Sequence, residues 1–123
     1  MNGNKILFII LFLVSFVFGE DLDIYSKYDQ AINAYKTGQY LLAVQELESI
    51  LSIGFESDEL YYNLGNSYYN INDISGSIWA YESALKLNPN FEDAKYNLKL
   101  SNLKIVDKVE LPRPPLYLNW YLI

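Results

Sequence analysis

The chain has 123 residues, a net charge of −6, and neither cysteine nor histidine. It can therefore form no disulfide and no thiolate or imidazole metal site, and it lacks the side chain best suited to proton transfer near neutral pH. The acidic balance repels phosphate, which argues against a nucleic-acid partner. We expect a single non-catalytic domain that needs neither a metal nor a cofactor.

The N-terminal segment has the order of a secretory signal peptide. Met1–Lys5 is polar with one positive charge, Ile6–Phe18 is apolar except for Ser15, and acidic residues follow Gly19. We expect residues 1–19 to be a signal peptide cleaved after Gly19, which would place the protein in the periplasm or at the outer face of the inner membrane. The alternative is an uncleaved anchor, although this run of 13 residues falls short of the roughly 20 that cross a bilayer as a helix.

A helical pattern begins after this segment. Apolar residues recur at steps of three and four, so we expect a first helix that is capped by Asp21 or Asp23 and ends at about Lys36. We expect a turn at Gly38. A second stripe of apolar residues then predicts a helix over about 40–53.

Caps and helix breakers predict three further helices. Gly54 ends the second helix, Ser57 caps a third that ends near Ile71, and Asp73 caps a fourth. Asn88-Pro89-Asn90 separates the fourth helix from the fifth. The fourth and fifth helices are expected over about residues 74–87 and 91–109. Residues 110–123 follow as a proline-rich spacer and an apolar C-terminal tail, because the prolines exclude a helix.

The segment 58–91 carries the pattern of a tetratricopeptide repeat. A copy precedes it in register at about 24–57, and Gly38 and Asn72 hold the same turn position 34 residues apart, which is the period of this repeat class. We therefore expect an all-α fold over residues 20–109, in which two antiparallel helix hairpins stack and the helix 91–109 caps them. The residues that this pattern assigns to packing are Ala31, Gly38, Ala43, Leu64, Gly65, Tyr68, Ser77, Tyr81, Ala84 and Pro89.

Stacked hairpins curve, and the first helix of each lines the inner surface, which suits a peptide. Tyrosine offers a large contact area with a polar tip, and asparagine can bond a peptide backbone. Tyr28, Tyr62 and Tyr96 are spaced 34 apart and should form a column. The alternative is that these rings only fill crevices between helices. The same geometry places Asp29, Lys36, Asn70 and Leu100 on the inner surface. The residues predicted to line the peptide groove are Tyr28, Ile32, Tyr35, Tyr62, Asn63, Asn66, Tyr69, Tyr96 and Asn97.

Enzyme and metal sites find little support in the sequence. There is no glycine-rich phosphate loop. The acidic pairs Asp58/Glu59 and Glu92/Asp93 each begin a helix, where the helix dipole favours negative charge. Asp21 and Asp23 could bind calcium weakly, but a solvated helix end explains them better.

The segment from Leu60 to about Tyr121 resembles the BatE-type proteins of the Bat aerotolerance operon. The stretch LYYNLGNSYYNINDISGSIWAYESALKLNPNFEDAKYNLKLSNLKIVDKVE, followed by prolines and Trp120, carries the resemblance, most specifically in EDAKYNL and IVDK. The resemblance implies a signal peptide, tetratricopeptide repeats and a membrane helix after the tryptophan segment. It also implies an envelope complex with von Willebrand A-domain membrane proteins and a MoxR-type ATPase. This chain departs from the pattern because its apolar tail of eight residues cannot span a bilayer, so we leave membrane association open.

The resemblance implies a protein–protein interaction adaptor of the cell envelope, with A-domain membrane proteins as candidate partners. Two alternatives are a free-standing exported chaperone or assembly factor and an accessory regulatory subunit of an envelope enzyme. In all three the chain binds a protein or peptide.

Overall fold

The computed structural model describes residues 3–108, and side-chain surroundings within residues 3–11 and 23–105. Within the range 3–108 the chain is all-helical, as predicted, and contains no strand. The predicted proline-rich spacer and apolar tail lie outside the described residues. The five helices are α1 (Gly3–Lys36), α2 (Tyr40–Ser52), α3 (Asp58–Asn70), α4 (Ile74–Leu87) and α5 (Glu92–Lys108).

Helix α1 corrects the predicted start of the first helix. Asp21 and Asp23 do not cap it, because the helix begins at Gly3 and passes through both positions. A carboxylate can cap a helix only where the backbone before it is not helical, and here the upstream residues are already part of α1. The expected boundary after Gly19 therefore falls inside a helix. The apolar side chains from Ile6 to Leu11 are exposed.

The turns between helices follow from local residue chemistry. Gly38 and Asn72 both adopt a positive φ, of 78° and 65°, at the turns that end α1 and α3. This left-handed backbone is open to glycine and tolerated by asparagine, which explains both residue types at the shared position. Gly54, with φ 97°, ends α2 in the same way.

Side-chain caps fix the starts of α3 and α4. The Ser57 hydroxyl accepts a hydrogen bond from the Leu60 N–H at 3.0 Å, and an Asp73 carboxylate oxygen accepts one from the Gly76 N–H at 2.9 Å. Each bond satisfies a backbone donor that the first turn leaves without an intrahelical partner. Both caps were predicted.

Each helix packs on the next one in the chain, and α3 also contacts α5. Apolar side chains of α1 to α4 form one buried cluster, and α3, α4 and α5 form a second. Leu51 of α2 lies against both clusters and joins them. The first cluster consists of Ala31, Val44, Leu47, Ile50, Leu60, Leu64 and Ala80, and the second of Tyr61, Tyr81, Ala84 and Ala94.

Small residues set the distance between neighbouring helices. A Cβ atom on Gly65 would lie 2.6 Å from Cε1 of Tyr81, so α3 and α4 can approach as they do only with glycine there. Ser77 of α4 and Ser101 of α5 are fully buried, and their hydroxyls hydrogen-bond each other at 3.1 Å. The pair satisfies two polar groups inside the contact between the two helices.

Most of the residues assigned to packing are buried. Gly38 lies in the first turn, Pro89 lies between α4 and α5, and Tyr68 is half-buried. The others are buried: Ala31, Ala43, Leu64, Gly65, Ser77, Tyr81 and Ala84. Within the described residues, no helix is both long enough and apolar enough to span a membrane.

Candidate peptide-binding face

Asparagine side chains donate hydrogen bonds to tyrosine hydroxyls that lie two helices earlier in the chain. Asn63 Nδ2 of α3 donates to the Tyr28 hydroxyl of α1 at 2.7 Å, and Asn97 Nδ2 of α5 donates to the Tyr62 hydroxyl of α3 at 3.4 Å. In both pairs the asparagine follows the tyrosine by 35 residues. These contacts show that α1, α3 and α5 present a shared face, on which equivalent residues meet in series.

A cavity of about 220 Å³ lies on this face. Tyr35 comes from α1 and Leu100 from α5, while α4 contributes only Tyr81. The Tyr81 side chain is only 1% exposed, so its ring forms the floor of the cavity rather than a free contact surface. The full lining is Tyr35, Asn66, Tyr69, Asn70, Tyr81, Asn97 and Leu100.

Asn66 is the centre of the hydrogen-bond network in this cavity. Its Oδ1 atom accepts from the Tyr81 hydroxyl at 2.7 Å and from Asn97 Nδ2 at 2.9 Å. Among the described residues, Asn66 Nδ2 and Asn97 Oδ1 have no partner in this network, so one amide donor and one amide acceptor are left. A peptide backbone presents the complementary acceptor and donor.

The cavity combines polar and apolar side chains and has a positive charge at its edge. Lys104 Nζ lies 4.4 Å from the centre of the Tyr69 ring, a cation–π contact that holds the ammonium beside the face. Burial, followed by the neighbouring Tyr62, raises the pKa of Tyr81 above its usual value, so this hydroxyl stays protonated and donates. The cavity therefore offers neutral hydrogen-bonding groups and one ammonium.

The structure gathers four of the nine predicted groove residues around the cavity: Tyr35, Asn66, Tyr69 and Asn97. Asn63 and Tyr28 bond each other beside it, and Tyr62 packs between Tyr81 and Phe91, with ring centres 6.1 and 4.8 Å away. Ile32 is half-buried on α1 and does not line the cavity. Tyr96 is 64% exposed on α5, and Tyr28 and Tyr62 are half-buried. The crevice-filling alternative thus describes Tyr62 well. Half-buried side chains that line the cavity remain accessible from it: Tyr35, Asn66, Tyr69 and Asn97.

Two residues of the site were missed from the sequence. Tyr81 was assigned to packing alone, although its hydroxyl reaches Asn66. Lys104 lies seven residues after Asn97, which is about two helical turns, so helical periodicity could have placed it on this face.

No protein-family model and no curated protein sequence matches the chain.

Proposed function

We propose that the chain is a non-catalytic adaptor of the cell envelope that holds an extended segment of a partner protein across the shared face of α1, α3 and α5. The observation that carries this proposal is the cavity around Asn66, with one amide donor and one amide acceptor left for a peptide backbone. Tyr35, Tyr69 and Leu100 supply apolar surface beside those groups. Both features are what an extended peptide requires.

The tetratricopeptide assignment is part of the same proposal. Three observations support it: the 34-residue spacing of Gly38 and Asn72, the close approach at Gly65, and the packing of each helix on the next. These features belong to arrays in which each unit contacts only its neighbours and the accumulated curvature creates a binding surface.

The setting in the envelope rests on the sequence. The apolar segment before Gly19 supports export, and the resemblance to BatE-type proteins supports a complex with A-domain membrane proteins and a MoxR-type ATPase. Because all polar groups of the cavity except Lys104 are neutral amides and phenols, we assign binding rather than catalysis to it.

Site-specific photo-cross-linking in the native cell tests this function. A benzophenone amino acid at Leu100, which lines the cavity, should give an adduct with one envelope protein, and mass spectrometry of the adduct identifies it. The matched control carries the same group at Trp79, which is 48% exposed on α4 and does not line the cavity. Equal adducts at both positions, or no adduct at Leu100, would refute the assigned face. An adduct with a cytoplasmic protein would refute the location.

A further inference from the structure

The residues that precede α3 and α5 are equivalent but chemically different. Ser57 and Phe91 are 34 residues apart, and each backbone carbonyl accepts the first hydrogen bond of its helix at 3.1 Å, from the Tyr61 and Lys95 N–H groups respectively. Both residues thus hold the N-cap position of their helix. One is a small hydroxyl residue and the other is a large aromatic ring.

Phe91 uses this position to fill the space beside α5. Its ring centre lies 4.8 Å from that of Tyr62, and the ring packs on the cluster that contains Ala84 and Ala94. A phenylalanine side chain cannot accept a hydrogen bond from a backbone N–H group of the helix. The N-cap residue of α5 therefore packs against apolar neighbours, whereas the N-cap residue of α3 caps its helix by a side-chain hydrogen bond.

Ser57 leaves the corresponding space in the first repeat open. Its hydroxyl is bound to the Leu60 N–H at 3.0 Å, and a cavity of about 190 Å³ lies beside it. Ile50 and Leu60 replace the smaller Ala84 and Ala94 and form the apolar floor. The walls are the side chains of Ile24, Tyr25, Tyr28 and Phe55.

The size and lining of this cavity suit an aromatic ring. An apolar cavity of about 150 Å³ can hold a benzene molecule, and this one is larger and open to solvent. Tyr25, Tyr28 and Phe55 can pack against a guest ring in tilted or edge-on geometry, as Tyr62 does with Phe91 at an interplanar angle of 39°.

Negative charge lies at the mouth of the cavity. Glu59 lines it. Burial raises the pKa of Tyr28, and the charges of Glu59 and Asp29 raise it further, whereas a hydrogen bond from Asn63 lowers it. Because Glu59 lines the cavity, its carboxylate lies within reach of a bound group. A guest that carries a positive charge next to its ring would gain from this carboxylate.

We propose that the cavity beside Ser57 binds an aromatic side chain of a partner polypeptide in which a basic residue adjoins the aromatic one. The guest ring takes the place that Phe91 fills at the other N-cap. This site is separate from the cavity around Asn66, since no residue lines both. It can therefore be tested without regard to that cavity.

The probes are two synthetic peptides, acetyl-Lys-Phe-Lys-amide and acetyl-Lys-Ala-Lys-amide, added to the full chain with labelled isoleucine and leucine methyl groups. The phenylalanine peptide should shift the methyl signals of Ile24, Ile50 and Leu60, and the alanine peptide should bind at least about 10-fold more weakly. Equal shifts from the two peptides would overturn the proposal, because the lysines alone would then account for binding.

Two variants locate the binding. Ser57→Phe supplies the ring in the chain itself and should reduce affinity for the phenylalanine peptide at least about 10-fold. Asp73→Ala is the matched control, because it also removes an N-cap but lies away from the cavity, and it should leave the affinity unchanged. If Ser57→Phe does not fold, Tyr25→Ala removes an exposed wall and should weaken binding. If the variant that folds, Ser57→Phe or Tyr25→Ala, binds the phenylalanine peptide with unchanged affinity, the proposed site is wrong.

Discussion

Asn63 Nδ2 donates a hydrogen bond to the Tyr28 hydroxyl at 2.7 Å, and this contact joins α1 to α3 on the face that we assign to peptide binding. The equivalent pair, Asn97 and Tyr62, joins α3 to α5 with a longer bond of 3.4 Å. Two residues of the predicted tyrosine column, Tyr28 and Tyr62, thus take part in contacts between helices, whereas Tyr96 is exposed. The Tyr28 and Tyr62 hydroxyls accept hydrogen bonds that hold these helices in register.

We expect the Tyr28–Asn63 bond to contribute to stability more than its equivalent. A double-mutant cycle with Tyr28→Phe and Asn63→Ala should give a coupling energy of about 0.5–1.5 kcal/mol, measured by urea unfolding. The same cycle at Tyr62 and Asn97 serves as the internal comparison and should give less, because the bond is longer and Asn97 also bonds Asn66. A larger coupling at the second pair would contradict the geometry.

Gly65→Ala should destabilise the protein by about 1–3 kcal/mol, because the new methyl group would overlap the Tyr81 ring. The ring cannot swing away, since it is buried and its hydroxyl is bonded to Asn66. In a Tyr81→Leu background the clash is removed, and the higher helix propensity of alanine should make the same change stabilising by up to about 1 kcal/mol. Chemical denaturation of the four proteins checks both signs, and a stabilising effect in both backgrounds would show that no clash exists.

A chain that ends at Asn88 should lose its cooperative unfolding transition. Without α5, the cluster around Tyr81 and Ala84 is exposed, and Ser77 loses the hydroxyl of Ser101. Removing Ala94 and the apolar groups beside it should cost at least about 3 kcal/mol. Thermal melting followed by circular dichroism measures the effect. A chain that ends at Lys108 keeps α5 and is the control. A full transition in the shorter chain would show that the fold does not need α5.

Alkaline pH should weaken the fold. Burial is the largest cause that raises the pKa of Tyr28, Tyr61, Tyr68 and Tyr81 above the usual 10.0, and for Tyr68 a hydrogen bond to Glu48 adds to it. The unfolded chain therefore releases these protons at a lower pH than the folded one. Their contribution to the free energy of unfolding is complete below pH 10.0 and is lost as pH rises towards the folded-state values.

Urea unfolding at pH 8 and at pH 11 measures this loss, with both pH values chosen to lie about one or two units from the ordinary tyrosine pKa of about 10. Tyr81→Phe should reduce the difference in stability between the two conditions, and Tyr96→Phe, at an exposed position, is the matched control. A protein that is equally stable at both pH values would show that these hydroxyls ionise in the folded state as readily as in the unfolded chain.

The parts of the fold that were predicted correctly depend on local signals. Ser57 and Asp73 cap helices, and Gly38 and Gly54 take positive φ, because each effect involves a residue and its nearest neighbours in the chain. The predicted start of α1 was wrong because a carboxylate indicates a cap only where the chain enters a helix. The sequence does not show that the upstream residues are already helical.

The site was harder to predict than the helices. Helical periodicity predicted that Tyr35, Asn66, Tyr69 and Asn97 share one side, and all four line the cavity. That prediction depends only on positions within each helix. Which hydroxyl meets which amide depends on how far neighbouring helices are offset along their axes. The observed pairing at 35 rather than 34 residues is a property of packing that the repeat period does not contain. For the same reason, the open space beside Ser57 appears only when its surroundings are compared with those of Phe91.

The uninterrupted course of α1 bears on the proposed cleavage after Gly19. Hydrolysis after Gly19 would act on a peptide bond inside a helix, so the backbone there must first open locally. The product would begin with Glu20, and Glu20, Asp21 and Asp23 would then lie in the opening turn, where free N–H groups attract negative charge. Acidic residues that occupy the interior of a helix in the precursor would thus stabilise the newly created end of the mature protein.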